Sequence, residues 1–294
     1  MKTKIKKAKE KTSDLRKLQL VLLEMLDELV RICDKHNLTY FLVGGTALGA
    51  IRHKGFIPWD DDIDVGMPRE DFEKFIKICL DELDDKYFLD HYSTNIHNYY
   101  GYAKLRKNNT TFVTEYSKRR EGHDGFFIDI FPLDYNTNKD SLGVKLRASI
   151  SRCILETLKL KEHNYRVRTL RRPIISLMFY PFSRYRIHRI VDYLYQKDNK
   201  KVHKNMAIYS TVYHYKKDIY PVDVVMPPVK ATFEGHEYNV YHDTDKYLKQ
   251  LYGDYMRLPK EEDRVSHLPD SLDFNNGLSL ITKEEYNKLH SKRK

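Results

Sequence analysis

Apolar side chains at Leu15, Leu18, Leu22, Met25, Leu26, Leu29 and Val30 recur every three to four positions, the period of an amphipathic helix that must pack on something. This helix is predicted from Ser13, with Thr12 or Ser13 as its cap and Asn37 beyond its end. Residues 1–12 ahead of it read as a mobile basic tail. Residues 39–43 form a short apolar strand that Gly44-Gly45 breaks, and residues 46–52 can open a helix. The period then changes to two. Asp62-Ile63-Asp64-Val65 alternates polar and apolar, which puts Asp62 and Asp64 on one face of a half-buried strand and turns Ile63 and Val65 toward a core. Another helix follows, with Pro68 at its start, Glu70 and Asp71 in its first turn, and Phe72, Phe75, Ile76 and Leu80 on its apolar face. Strands are predicted at 99–106, 110–116 and 126–131. Because these strands succeed one another after the first helices, the pattern implies an α+β fold with a mixed sheet and not a doubly wound parallel one.

Residues 142–201 differ in character: they read as helical and basic, and include the apolar run Pro173-Ile174-Ile175-Ser176-Leu177-Met178-Phe179-Tyr180-Pro181. Such a segment can pack onto the main sheet as a helical subdomain, or lie on an anionic membrane face. From Val224 the chain turns extended. Residues 230–240 look like a hairpin with Gly235 near its tip, and residues 243–251 like a helix capped by Asp243 and ended by Gly253. A charged helix is expected from Lys283. The organisation expected is a tail over 1–12, a core over 13–141, a basic helical insertion over 142–220, and a part over 221–294 that completes the same domain.

Charge sharpens this picture. The 294 residues carry 52 Lys+Arg against 42 Asp+Glu, a net charge of +10, which points to an anionic partner: a phosphorylated substrate, an acidic membrane surface or nucleic acid. No nucleic-acid motif accompanies the clustered arginines, so nucleic acid is the unlikely partner. Cys33, Cys79 and Cys153 are scattered, which suits core fillers in a reducing compartment. The basic N-terminus leads into polar sequence without the apolar run of a signal peptide, and no run approaches the ~20 residues of a spanning helix. A cytoplasmic protein is expected, with peripheral contact at the inner face of the membrane left open.

Candidate chemistry centres on residues 56–65, where Asp60, Asp61, Asp62 and Asp64 fall within five positions. A solvated acidic loop is one reading. The strand pattern favours another, in which Asp62 and Asp64 form an oxygen-ligand site for a hard divalent cation, Mg²⁺ or Mn²⁺. Alternation also puts Asp60 on their side, as a supporting group or a ligand to a second ion, while Asp61 should point away. Gly44-Gly45-Thr46 precedes the cluster, and glycines before a helix start let a phosphate approach free N–H groups. Asp129 is a lone charge in the apolar run 126–131; buried on a central strand, it needs a metal or a basic partner. Asp124 and Asp134 look like turn or cap residues. Arg52, His53 and Lys54, and Lys104 and Arg106 alternating on one strand face, are the cations that could reach a bound anion, or are ordinary surface charge. Trp59, Tyr99, Tyr100, Tyr102 and Tyr116 are the aromatics near enough in sequence to box an organic cation.

The turn and the carboxylate strand together resemble the pattern of the nucleotidyltransferase superfamily, whose third carboxylate lies on a neighbouring strand. The block Leu42-Val43-Gly44-Gly45-Thr46-Ala47-Leu48-Gly49-Ala50-Ile51-Arg52-His53-Lys54-Gly55-Phe56-Ile57-Pro58-Trp59-Asp60-Asp61-Asp62-Ile63-Asp64-Val65 narrows this: it resembles the signature of the LicD/fukutin family. So do Lys104-Leu105-Arg106 with Asn109-Thr110-Thr111-Phe112, and Tyr252-Gly253-Asp254-Tyr255-Met256 followed by Pro259, Arg264 and His267. The resemblance runs from about Leu38 to His267 and says little about residues 142–220.

It implies a nucleotidyltransferase-like core and a phosphotransferase moving a phosphocholine-type or alditol phosphate group. The donor would be CDP-choline or a similar CDP-activated compound, and the acceptor a lipopolysaccharide, teichoic acid or other surface glycan, lipid-linked or free. On that reading Asp62, Asp64 and Asp129 hold the metal and carry catalysis. Gly44, Gly45, Thr46, Arg52, Lys54, Lys104, Arg106 and His267 then bind the donor. Two other readings keep the fold: nucleotidyl transfer to a small substrate, and a non-catalytic protein that binds an anionic glycan or membrane.

Overall fold

The computed structural model describes residues 2–114, 121–138, 140–161, 172–201, 203–211, 215–260, 262, 264 and 271–274. Helix α1 (Lys2–His36) reaches back through the stretch expected as a tail, because Lys, Ala and Glu there favour helix and neither Gly nor Pro interrupts it. Its stripe of Leu18, Leu22, Met25, Leu26 and Leu29 is completely buried, at about 1.5–3 kcal/mol of transfer free energy per side chain. After β1 (Phe41–Leu42) and α2 (Gly44–Arg52) comes β2 (Asp64–Pro68). This strand starts two residues later than the alternation suggested. Tertiary hydrogen bonds hold the preceding residues as a loop: Asp60 N–H donates to the Ile57 carbonyl at 2.9 Å, and Gln19 Nε2 to the Asp60 carbonyl at 2.9 Å. Asp62 therefore lies on a loop and Asp64 on the strand.

Helix α3 (Arg69–Glu82) buries Phe72, Phe75, Ile76 and Cys79. Leu80, expected on that face, is 43% exposed, since 100° steps carry it to the edge of a stripe that Cys79 completes. Strands β3 (Tyr87–Asp90), β4 (Ala103–Lys107), β5 (Thr111–Val113) and β6 (Phe127–Asn136) follow. Residues 99–102, expected as strand, form the loop into β4. The central sheet has the order β1-β2-β6-β4-β3, with β2 and β6 parallel and the other pairs antiparallel. This is the mixed α+β sheet that the order of elements implied.

Asp134, expected at a strand end, is a fully buried residue within β6. It takes Arg69 in a two-pronged ion pair, Nε to Oδ1 at 2.8 Å and Nη2 to Oδ2 at 2.7 Å, and Asn199 Nδ2 donates to it at 2.6 Å. The pair fastens α3 under the sheet where β6 runs on past its partner β2.

The basic segment folds as α4 (Leu142–Lys161), α5 (Arg172–Phe179) and α6 (Arg184–Tyr195). Strands β7 (Asn205–Ala207) and β8 (Ile219–Pro221) then extend the far half of β6. Val144, Ile154, Leu158, Ile187, Val191 and Tyr195 form a second core with Ala207 and Ile219, so the helices do pack on the sheet extension. They also leave Leu142, Leu146 and Ile150 of α4 and Leu177 and Met178 of α5 exposed. No described helix is long and apolar enough to cross a membrane.

The chain returns through α7 (Val222–Val225), the hairpin β9 (Val229–Phe233) and β10 (His236–Val240), α8 (Thr244–Tyr252) and β11 (Ser271–Asp273), which pairs β5. Glu234 and Gly235 both have positive φ, 52° and 84°, the geometry of a tight hairpin turn. Asp243 caps α8 and Gly253 ends it at φ 73°, as expected. The helix expected from Lys283 lies outside the described residues.

Removing Asp134 leaves the buried Arg69 guanidinium with the longer, 3.4 Å pair to Asp192. Asp134→Ala is expected to lower unfolding free energy by about 3–5 kcal/mol in urea denaturation, whereas Lys74→Ala, which removes a solvent-exposed pair with Glu70, is expected to change it by less than about 1 kcal/mol.

Candidate active site

Strand register assembles the site. In the parallel pair Asp64 lies beside Asp129, and in the antiparallel pair Asp129 lies beside Lys104, which in turn lies beside Asp90. Four charged residues thus form one row across four strands, on the face opposite Val65, Ile128 and Ile130. Two adjacent carboxylates repel, and the row answers them with one cation: Lys104 Nζ bonds Asp129 Oδ1 at 2.5 Å. That ammonium is buried and boxed by rings, 3.6 Å from the Phe127 centroid, 4.5 Å from Tyr100 and 5.3 Å from Tyr102. Arg106, on the same face, is taken by Asp90 at 2.6 Å and the Gly125 carbonyl at 3.0 Å.

The acidic loop is pinned from three sides. Besides Gln19, the Glu234 carboxylate at the hairpin tip accepts from Phe56 N–H at 3.0 Å and holds Arg16 at 2.6 Å. Thr46 Oγ1 accepts from Asp64 N–H at 2.9 Å, so this threonine ties α2 to β2. The two glycines make room for carboxylates. A Cβ on Gly44, which sits at φ +57°, would lie 2.7 Å from Asp64 Oδ2, and one on Gly45 would lie 3.0 Å from Asp60 Oδ2. Bare backbone there admits the carboxylates. Gly44 N–H already donates to the Tyr247 hydroxyl at 2.7 Å, leaving Gly45 and Thr46 as the helix-start N–H groups without an intrahelical acceptor.

Burial and like charge act together on the cluster. Burial first, then Asp62 and Asp61, push the Asp60 carboxyl up to about 8. Burial, then Asp129 and Asp61, push Asp62 up to about 6. Asp64 is raised well above the usual carboxylate range by burial and by Asp62 and Asp129. Burial lowers the Lys104 ammonium, against the pull of Asp129.

Asp60, Asp62, Asp64 and Asp129 line one end of a cavity of about 860 Å³, and Gly44, Gly45 and the ring of Tyr247 share that wall. Tyr99, Tyr100, Tyr102 and Phe131 form the adjoining wall, and Arg152, Glu156 and Lys159 of α4 line it beyond, with Tyr195 and Tyr209. Asp61 is buried away from the cavity, as the alternation implied. Several candidates lie elsewhere. Arg52 donates to the Tyr255 carbonyl at 2.7 Å and to His53, and Lys54 is exposed with φ 59°. Trp59 carries the Arg264 guanidinium 4.7 Å above its ring. His267 and Tyr116 lie outside the described residues. The wall from α4 and the hydroxyl of Tyr247 were not anticipated; Tyr247 meets Gly44 from 203 residues away, and no local pattern marks it or the α4 residues.

Among the described residues, no three His, Cys, Asp or Glu side chains converge as an assembled ligand set; the carboxylates spread along a wall and Asp129 is engaged by Lys104. The donors are nonetheless all carboxylate oxygens, and Asp60, Asp62 and Asp64 are raised by burial first and then by like charge. Such a set fits a hard divalent cation.

The raised carboxyls give the metal-free protein a pH signature. Asp60 and Asp62 ionise in the unfolded chain near their ordinary value of 3.8 but in the fold only toward about 8 and about 6. Their contribution to stability is therefore complete below about pH 4 and is lost as pH rises through 8. Thermal melts in chelator are expected to show a smaller decline from pH 5 to pH 8 for Asp60→Asn than for the unaltered protein.

Comparison with known proteins agrees with this geometry. Residues 37–152 match the family described as LicD/FKTN/FKRP, nucleotidyltransferase domain. The lipopolysaccharide cholinephosphotransferase LicD of Haemophilus influenzae is 31% identical over 263 residues, 86% of this chain and 95% of that protein. Two uncharacterized proteins match over shorter stretches: one of Rickettsia typhi, 40% identical over 62 residues (21% of this chain, 20% of that one), and one of Rickettsia prowazekii, 42% identical over 55 residues (19% and 21%). With a 31% identical relative matched over 86% of this chain, and a family domain over residues 37–152 that contains the carboxylate row, this chain belongs to the LicD family.

Proposed function

We propose that this protein transfers phosphocholine from a CDP-activated donor to a hydroxyl of a lipopolysaccharide-type glycan. The observation that carries the reading is the row Asp64–Asp129–Lys104 on the wall of a large cavity, in a chain similar over nearly its whole length to a lipopolysaccharide cholinephosphotransferase. The acceptor oxygen attacks the choline-bearing phosphorus, the bond from that phosphorus to the bridging oxygen breaks, and CMP leaves. Asp62, Asp64 and Asp129 would hold Mg²⁺ or Mn²⁺, which when bound neutralises charge on the donor pyrophosphate. Asp129, whose Oδ1 is held by Lys104, is the proton acceptor for the attacking hydroxyl. The Lys104 ammonium adds a fixed positive charge where phosphate charge shifts. The free N–H groups of Gly45 and Thr46 face a donor phosphate at the start of α2.

A cytoplasmic enzyme on a lipid-anchored acceptor would work at a membrane surface. The exposed Leu142, Leu146, Ile150, Leu177 and Met178 belong to a segment, residues 142–201, with 15 Lys/Arg against 4 Asp/Glu. That combination suits peripheral contact with an anionic bilayer.

Protein, CDP-choline, Mg²⁺ and a purified lipopolysaccharide acceptor are expected to release CMP. Asp64→Asn and Asp129→Asn are each expected to lower the rate by about 10³-fold, the equivalent of several kcal/mol, while remaining folded by circular dichroism. Release of pyrophosphate from a nucleoside triphosphate, without CMP from CDP-choline, would instead support nucleotidyl transfer. Binding of the glycan with no turnover of either compound would support a non-catalytic protein.

A further inference from the structure

We infer that Tyr99, Tyr100 and Tyr102 form the receptor for the trimethylammonium group of the donor, an inference that rests on the phosphocholine reading. A quaternary ammonium has no N–H, so hydrogen-bond acceptors cannot grip it as they grip a primary amine; aromatic faces can. The loop before β4 sets these three rings in a run. Centroids are 4.3 Å apart for Tyr99 and Tyr100, and 5.0 Å for Tyr100 and Tyr102, and Tyr102 leans on Phe131 at 4.5 Å. All line the cavity directly beside Asp129.

The run is already cation-receptive. Lys104 Nζ sits 4.5 Å from the Tyr100 centroid and 5.3 Å from that of Tyr102 while bonded to Asp129. The rings therefore begin one ammonium's width from the carboxylate row where the phosphate reacts. The short two-carbon linker of phosphocholine matches that adjacency: phosphorus at the row, nitrogen over the tyrosines.

Gly101 permits the arrangement. A Cβ there would lie 3.2 Å from Leu155 Cδ1, 3.3 Å from Ser210 Cβ and 3.4 Å from Tyr195 Cε2, so the loop presses its backbone against α4 and α6 and turns its tyrosines to the cavity. Across the same cavity, α4 contributes Leu155, Arg152, and Glu156 with its ion-pair partner Lys159 at 3.4 Å. The helical insertion thus closes the subsite from behind, although its sequence carries no catalytic motif.

Two measurements test this separately from the function itself. Saturation-transfer NMR reads whether the N-methyl protons of phosphocholine contact the protein, with no turnover needed. Strong transfer is expected for the unaltered protein and for Tyr100→Phe, and its loss for Tyr100→Leu and Tyr99→Leu of unchanged circular dichroism; equal transfer in the Leu variants overturns the inference. In turnover assays, the kcat/KM ratio for CDP-choline over CDP-ethanolamine is expected to fall about tenfold in Tyr100→Leu and to persist in Tyr100→Phe. An equal loss on both donors would reduce these tyrosines to structural parts and overturn the inference. If the unaltered protein uses neither donor, the phosphocholine reading fails, and the NMR result still decides the cation receptor.

Discussion

One buried ammonium against a wall of carboxylates is the constraint on which the site depends. The β2–β6 register sets Asp64 and Asp129 side by side, and no choice of rotamer can separate residues that are paired across a parallel ladder. Lys104, one strand over, is the compensation at 2.5 Å, and three rings around it exclude water, so that its charge acts in a low dielectric. Asp60, Asp62 and Asp64 are pushed up by burial first and then by the neighbouring carboxylates.

The rest of the fold serves to keep that wall in place. The apolar stripe of α1 covers the opposite face of the sheet, and Gln19 on the same helix reaches the Asp60 carbonyl. The hairpin tip pins the acidic loop through Glu234, and α8 meets the start of α2 through the Tyr247 hydroxyl. Arg69 and Asp134 anchor the far half of β6, from which β7 and β8 carry the helical insertion. The cavity lies between this insertion and the sheet. The row of charges comes from the core, and the cavity walls come from both parts.

What could be read from the sequence follows from where each interaction is encoded. Helices α1 and α3 and the hairpin at Gly235 announce themselves by period and turn residues, and Asp129 by being one charge in an apolar run. Alternation also set Asp60, Asp62 and Asp64 apart from Asp61, although Asp62 proved to lie on a loop. The four-residue β3 has no period to read. Asp134 looked like a cap because its partner Arg69 is 65 residues away. Arg52 and Lys54 looked available for an anion because sequence proximity to the Asp cluster says nothing of direction. Arg52 is instead spent on a carbonyl 203 residues distant. Thr46 and the two glycines stood out as a phosphate-binding feature; in the fold Thr46 takes the backbone N–H of Asp64, and the glycines make room for the carboxylates of Asp64 and Asp60.

The most direct measurement follows an oxygen atom. CDP-choline labelled with ¹⁸O at the bridging position is turned over with a lipopolysaccharide acceptor, and the products are read by ³¹P NMR and mass spectrometry. Attack at the choline-bearing phosphorus leaves the label in CMP, and that is the result expected. Label retained on the phosphocholine moiety means that the nucleotide phosphorus was attacked, and would contradict the account.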